Sequence, residues 1–409
     1  MNNVLLEKYA RLLVKIGVCL QENQTLVISS PLECAFFARI IAETAYKEGA
    51  KDVVMNWNDQ PSTRIKLLYA PESTLEVVPN WRKEFYISLA REGAAFISIA
   101  ADDPDLMSDV DPARMSLMYK NLGLALKEYR ERMMCNRNKW CVASVPTEKW
   151  AQKVFPDDTL ETAMNKLWNA ILNTVRVDKD DPVSEWKKHI TNLKKSLDFL
   201  NTYNFKHIHM KNSIGTDVTI ELPEKHLWTG GSDLTPEGVE FVANMPTEEV
   251  FTMPKKTGVN GRVVSSMPLN YNGSLIENFS LTFKDGKVVE YTAEKGKEFL
   301  KEMISIDEGA SYLGEIALVP VDSPISNMGI LFYNTLFDEN ASSHVAIGNA
   351  YPTNIKGGEN MSREELDELG ANYSLTHIDF MIGTDDMTVT GMTHDGVEVA
   401  IMKDGNFVF

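Results

Sequence analysis

Thr25–Trp57 reads TLVISSPLECAFFARIIAETAYKEGAKDVVMNW, and this stretch decides the fold of the first half of the chain. Leu26, Val27 and Ile28 form a short apolar run of the kind that fills a strand buried on both faces. Pro31 opens a helical stretch that runs to Glu48, where Gly49 closes it, and Asp52–Trp57 is the next strand. Upstream, Leu5, Tyr9, Leu12, Leu13 and Ile16 recur at helical spacing, which predicts a helix over Val4–Ile16 stopped by Gly17. Downstream the alternation continues, with a helix over Pro79–Glu92, a strand over Ala94–Ala100, a helix over Pro112–Met134 and a strand over Trp140–Val145. This pattern predicts an α/β domain whose mostly parallel sheet is covered by helices. Such sheets commonly bind ligands at the carboxyl ends of their strands. Neither GxGxxG nor GxxxxGK[ST] occurs in this region, so the phosphate cradle of a nucleotide site is missing.

Two further helices, Leu160–Val175 and Ser184–Leu200, carry Trp168, Trp186, Leu193 and Leu197 as packing residues. The texture changes after Asn201. His207–Met210, Asp217–Glu221, Val259–Leu269, Leu275–Phe283 and Lys287–Thr292 alternate as strands do, with Asn272-Gly273 and Asp285-Gly286 as turns. A helix over Ala293–Ile304 interrupts. Strands are then expected at Glu315–Val321, Gly329–Leu336, Val345–Ile347, His377–Ile382, Met387–Gly391 and Val397–Met402. The fold class is therefore an α/β N-terminal domain, residues 1–201, followed by a predominantly antiparallel β (α+β) domain, residues 202–409, that carries the chemistry.

The chain has 409 residues, a net charge of −17 and a pI near 5.0. That balance argues against general affinity for nucleic acid or for an anionic membrane. Cys19, Cys34, Cys135 and Cys141 form no CxxC pair and read as free thiols of a reducing compartment. No apolar run approaches the length of a membrane span, and no apolar segment follows a basic one at the start, so a cytoplasmic location is expected.

Carboxylates and imidazoles set in apolar, strand-like sequence mark the second half. In Thr376–Phe380, His377 and Asp379 stand at i and i+2, which a strand places on one face. His344 enters the apolar run Val345-Ala346-Ile347, Glu249 precedes Val250-Phe251, and Glu315 begins an apolar strand. An ionised carboxylate at such a position is costly unless paired or coordinated. Three carboxylates and two imidazoles in one domain suit borderline divalent ions such as zinc or cobalt. Neither HExxH nor a cysteine zinc pattern is present. His207 and His209 share a strand face but lack a nearby acidic partner in the reading. His189 reads as solvated in a lysine-rich helix, and His226 and His394 as turn residues.

Several longer strings carry a family resemblance. They are Asn244-Met245-Pro246-Thr247-Glu248-Glu249-Val250-Phe251-Thr252, Tyr312-Leu313-Gly314-Glu315, Ser343-His344 with Gly348-Asn349-Ala350-Tyr351, and Thr376-His377-Ile378-Asp379-Phe380-Met381-Ile382-Gly383. With Tyr9-Ala10, Gly17-Val18 and Ala45–Ala50, the chain resembles the aminopeptidase T / aminopeptidase S family of dinuclear metallo-aminopeptidases from end to end. The resemblance implies that Glu249, Glu315, His344, His377 and Asp379 are metal ligands and that Tyr351 assists catalysis. It implies a homodimer and short peptide substrates. Two divalent ions per chain are expected, zinc or cobalt, with manganese or magnesium as alternatives. Two ions about 3.5–4 Å apart, bridged by a carboxylate, can deprotonate a shared water. The Tyr351 hydroxyl can donate to the developing oxyanion, and Glu315 is the first choice of general base, with Glu248 behind it. The free substrate amine would ligate a metal or meet an acidic side chain. Two other readings compete: a mononuclear non-haem iron enzyme built on His344, His377 and Asp379, and a non-catalytic peptide- or metal-binding scaffold.

Overall fold

Four strands, Asp52–Asn58, Thr25–Pro31, Ala95–Ile99 and Trp140–Ala143, lie side by side in that order, and every neighbouring pair is parallel. The structure is a computed structural model and describes residues 3–409. The apolar run of the central strand is buried on both faces, as its composition requires. Leu26 and Ile28 join a core with Tyr9, Phe37 and Ile41, while Val27 faces a second one with Ala90, Phe96 and Met133. The helical cover is more divided than the sequence suggests. Pro112–Ala125 and Lys127–Met134 are separate helices that break at Leu126, and Gln60–Tyr69 is a helix the periodicity did not reveal. The latter buries only Leu67, so its sequence has little apolar face to display.

Helix Pro182–Thr202 serves both halves. Its Trp186 and Ile190 enter the N-terminal core, and its Leu193 and Leu200 enter the core of the second half. That second half is antiparallel. A large sheet runs from Leu269–Tyr271 at one edge to Asn406–Phe407 at the other. A smaller antiparallel sheet, in the order His377–Met381, His344–Gly348, Leu313–Leu318, Val250–Thr252, packs against it. Val250, Ile316, Leu318, Val345, Ile347 and Phe380 share a core with Ile208, Ile220, Phe279 and Val389 of the large sheet. Burying each such side chain contributes about 1.5–3 kcal/mol, which fixes one face of the small sheet firmly and offsets a costly charged face opposite.

Some expectations are corrected. Gly329–Leu336 is not a strand. It is irregular chain leading into the helix Thr335–Asp338, because the buried Asp338 carboxylate accepts the backbone N–H groups of Phe332 (2.8 Å) and Asn334 (3.0 Å) that a ladder would need. The strand Lys287–Lys295 continues through Ala293, and the helix begins at Lys297. His209 does have an acidic partner, Asp217, at 2.8 Å across the ladder. His189 is largely buried and hydrogen-bonded rather than solvated, and His226 is buried.

The two halves are stitched together where it matters for the site. Val142 N–H donates to Ala243 O at 2.8 Å and Met245 N–H donates to Val142 O at 2.9 Å. The chain entering Pro246-Thr247-Glu248-Glu249 is thus pinned to the edge strand of the parallel sheet. The centre lies beside this edge, not at the carboxyl ends of the parallel strands.

Candidate metal centre

Strand register builds the site. Glu315 stands opposite Ala346, and Ala346 stands opposite Asp379. His377 faces Gly348, and His344 faces Ala317. Directly opposed residues of an antiparallel ladder share a face, so Glu315, His344, His377 and Asp379 all rise from one side of the small sheet. Ala317, Ala346 and Gly348 lie between them and leave the space open. Glu249, just before Val250–Thr252, closes the group from the far edge.

One irregularity makes this possible. The register shifts between Leu313 and Glu315, where Leu313 pairs with Ile347 but Glu315 pairs with Ala346. Without this bulge, Glu315 would share the core-facing side of Leu313; with it, the carboxylate turns to the polar face. Gly314 occupies the bulge, and a Cβ there would lie 2.4 Å from both Gly348 O and Asn349 O. No other residue fits without moving the backbone.

The five side chains form two overlapping triads. Glu249, Glu315 and His344 make one, and Glu315, His377 and Asp379 make the other; the ligand atoms of each lie within 4.8 Å of one another. His344 Nε2 is 3.0 Å from Glu249 Oε2 and 3.6 Å from Glu315 Oε1. His377 Nε2 is 3.5 Å from Glu315 Oε2 and 3.4 Å from Asp379 Oδ1. Both imidazoles are oriented from behind. His344 Nδ1 donates to Ser342 O at 3.0 Å and His377 Nδ1 donates to Asn349 O at 2.7 Å, which turns each Nε2 into the cluster.

The residues fit a metal on a structural test. Glu249 Oε2 and Asp379 Oδ1 are buried without a hydrogen bond, although each has an imidazole nitrogen close by. The contacts are near but not aligned for hydrogen bonding, as expected of ligands that converge on a third centre. Burial and the neighbouring carboxylates push Glu249 up against the opposing influence of His344. Burial pulls His344 and His377 down, but the carboxylates around them outweigh it and raise both well above the usual imidazole range. A cluster this rich in negative charge calls for a cation.

Tyr351 stands over the second triad. Its ring meets His377 edge-on at 5.1 Å and Phe251 at 5.9 Å. Burial, with the charges of Glu315 and Asp379, pushes the phenol well above its ordinary range, so it remains a proton donor. Sequence reasoning missed Glu339. This buried carboxylate lines the same small cavity as both triads, and burial with the charges of Asp379 and Glu249 raises it well above the carboxylate range. The signal that could have found it is an acid five residues before His344, flanked by Leu336, Phe337 and Ala341. Glu248, by contrast, is taken up elsewhere: Arg176 Nη2 donates to its Oε1 at 2.7 Å, and its backbone N–H donates to Asn340 Oδ1 at 2.7 Å.

A profile of the thermophilic metalloprotease family (M29) matches residues 2–407. The chain belongs to that family. This M29 chain is 50% identical over 404 residues to aminopeptidase 2 of Geobacillus stearothermophilus, covering 99% of this chain and 98% of the relative. It is 47% identical to aminopeptidase AmpS of Bacillus subtilis strain 168 with the same coverage. The solved structure of wild-type AmpT from Thermus thermophilus matches with a TM-score of 0.90 at 38% identity, covering all of both chains. Family membership establishes divalent metal use, and the parallel and antiparallel sheets give the α/β and β-rich fold class expected from the sequence. Among the described residues no helix is long and apolar enough to cross a membrane.

Proposed function

We propose that this M29 metalloprotease is an aminopeptidase that holds two divalent ions per chain on Glu249, Glu315, His344, His377 and Asp379 and releases N-terminal residues from short peptides. The metallo-aminopeptidase class is carried by the family match and by the relatives. The observation that supports two ions is the pair of triads sharing Glu315, with one oxygen toward each imidazole. A mononuclear iron reading would leave Glu249 buried with an unpartnered oxygen and no role.

Bound there, zinc or cobalt, or alternatively manganese or magnesium, would lower the pKa of a bound water and polarise the scissile carbonyl. The protein's own part is positioning and proton handling. Glu315 would bridge, and Glu249 with His344 and Asp379 with His377 would complete the two ligand sets. Tyr351, protonated and facing the cavity, would donate to the oxygen that gains charge. Glu339, a buried acid whose proton affinity is raised first by burial and then by the charges of Asp379 and Glu249, fits the proton carrier between water and leaving amine better than the coordinating Glu315 does. A cavity of about 530 Å³ opens from Tyr351, His377 and Asp379 toward Tyr119, Lys127 and Arg130, and gives the rest of the peptide its room.

The reading also carries the division of the chain into 1–201 and 202–409, a homodimer and a cytoplasmic location. The end of helix Pro182–Thr202 just before strand Phe205–Lys211 supports the division. Elemental analysis of the purified chain, paired with hydrolysis of aminoacyl anilides before and after chelation, tests the proposal. Two ions and chelator-sensitive release of free amine are expected; one iron with oxygen-dependent turnover would overturn it.

A further inference from the structure

An aminopeptidase must recognise a free α-ammonium beside the bond it cleaves, and the five ligand side chains do not by themselves explain how. Asp233 lines the same cavity of about 70 Å³ as they do. That volume holds a handful of water-sized groups, enough for ions and an ammonium but not for a peptide side chain as well.

Asp233 is well seated for such a task. It begins the two-residue strand Asp233–Leu234, directly after the turn Gly230-Gly231-Ser232. A Cβ at Gly230 would lie 2.4 Å from Glu249 O, so this turn packs on the backbone of a ligand residue and carries Asp233 with it. Asn136 Nδ2 donates to Asp233 Oδ1 at 3.0 Å and fixes the carboxylate from the N-terminal half. Among the described residues no lysine, arginine or histidine forms an ion pair with it. Burial raises Asp233 to about 6 against the influence of Asn136, the mark of a carboxylate short of a cation. Tyr351 lines the same cavity as Asp233, Glu315 and Asp379.

We infer that Asp233, held by Asn136, is the anchor for the substrate α-ammonium, with the substrate side chain and peptide tail directed into the larger cavity. This deepens the proposed aminopeptidase reading and rests on it. A charge-assisted hydrogen bond of this kind is worth about 10- to 100-fold in affinity.

The test uses two probes, L-leucinamide and 4-methylpentanamide, the same molecule without its amine. Calorimetric titration of the chelator-treated full chain compares their affinities in wild-type protein and in Asp233→Asn. The wild type is expected to prefer the amine-bearing probe, and the preference is expected to fall by more than about threefold in the variant. A preference that stays within that factor, or that is absent from the wild type, overturns the inference. In the metal-loaded enzyme, Asp233→Asn is expected to raise KM for leucyl anilide by about 10- to 100-fold at full metal content; loss of metal in step with activity overturns the assignment. Asp233→Ser carries the same measurements should the asparagine variant not fold. A wild type that cleaves no aminoacyl anilide would sink the aminopeptidase reading while leaving the metal-free titration to judge Asp233.

Discussion

Glu248 and Glu249 are neighbours in the chain, both are buried, and they end in opposite electrostatic situations. Glu248 enters a closed network. Arg176 donates to it at 2.7 Å, His189 lies 3.6 Å away, and His189 Nε2 bonds Thr247 O at 2.7 Å while the guanidinium stacks 5.2 Å over Trp186. Its charge is matched by protein. Glu249 enters a cluster of carboxylates with two imidazoles and no guanidinium, and one of its oxygens is left bare. The difference teaches how to separate a structural ion pair from a ligand set. Where the protein matches the charge in full, the carboxylate holds the fold; where its imidazoles fall short of the carboxylates around them, it reserves the position for an ion.

The sharpest way to break this contrast is Glu315→Ala. Because both triads use Glu315, the substitution is expected to remove both ions and to cut activity by more than roughly 100-fold, the upper range for residues that merely orient ligands; elemental analysis beside kcat/KM checks it. The metal-free form of that variant should melt no lower than metal-free wild type, since a buried like charge is gone. His377→Ala touches one triad only, so we expect about one ion to remain on Glu249, Glu315 and His344 while hydrolysis is lost. Retention of two ions would show that the triads do not work as separate sites.

Tyr351→Phe removes a donor but no ligand. Turnover should drop by about 100-fold with both ions in place, and metal loss in proportion to activity would instead make the tyrosine a support. The other side of the comparison is tested by Arg176→Met. It leaves Glu248 buried without its partner and is expected to cost about 3–5 kcal/mol of stability, read as a shift of the denaturation midpoint, with smaller losses of metal and activity. Replacing Glu248 by Gln in the same chain should restore most of that stability. If Arg176→Met instead behaves like Glu315→Ala, the boundary drawn between the two clusters is wrong.

The parallel sheet was legible because each of its strands announces itself. Leu26-Val27-Ile28 is apolar without interruption, and a strand buried on both faces needs nothing else. The helix Gln60–Tyr69 was not legible, because a helix that buries one side chain leaves almost no periodic trace. In the site, His377 and Asp379 could be placed on one face from their spacing alone. Glu315 could not. Its face depends on a bulge at Gly314, and a bulge is set by the partner strand rather than by local sequence. Glu339 and Asp233 were missed for a related reason. Asp233 sits in polar, turn-rich sequence that reads as solvated surface, and Glu339 stands in a short mixed segment with no strand or helix period long enough to assign its face; packing brings both to the cavity.

The sequence by itself determined the order and type of the main elements, the two textures of the chain, and which residue types could serve a metal, because periodicity and side-chain chemistry are local properties. Only the tertiary structure decided that five ligands from four strand segments converge on one cluster, that Glu248 is spent on Arg176 while Glu249 is not, and that Asp233 lines the same cavity. Those outcomes depend on strand register and on distances between residues far apart in the chain, quantities that no single stretch of sequence contains.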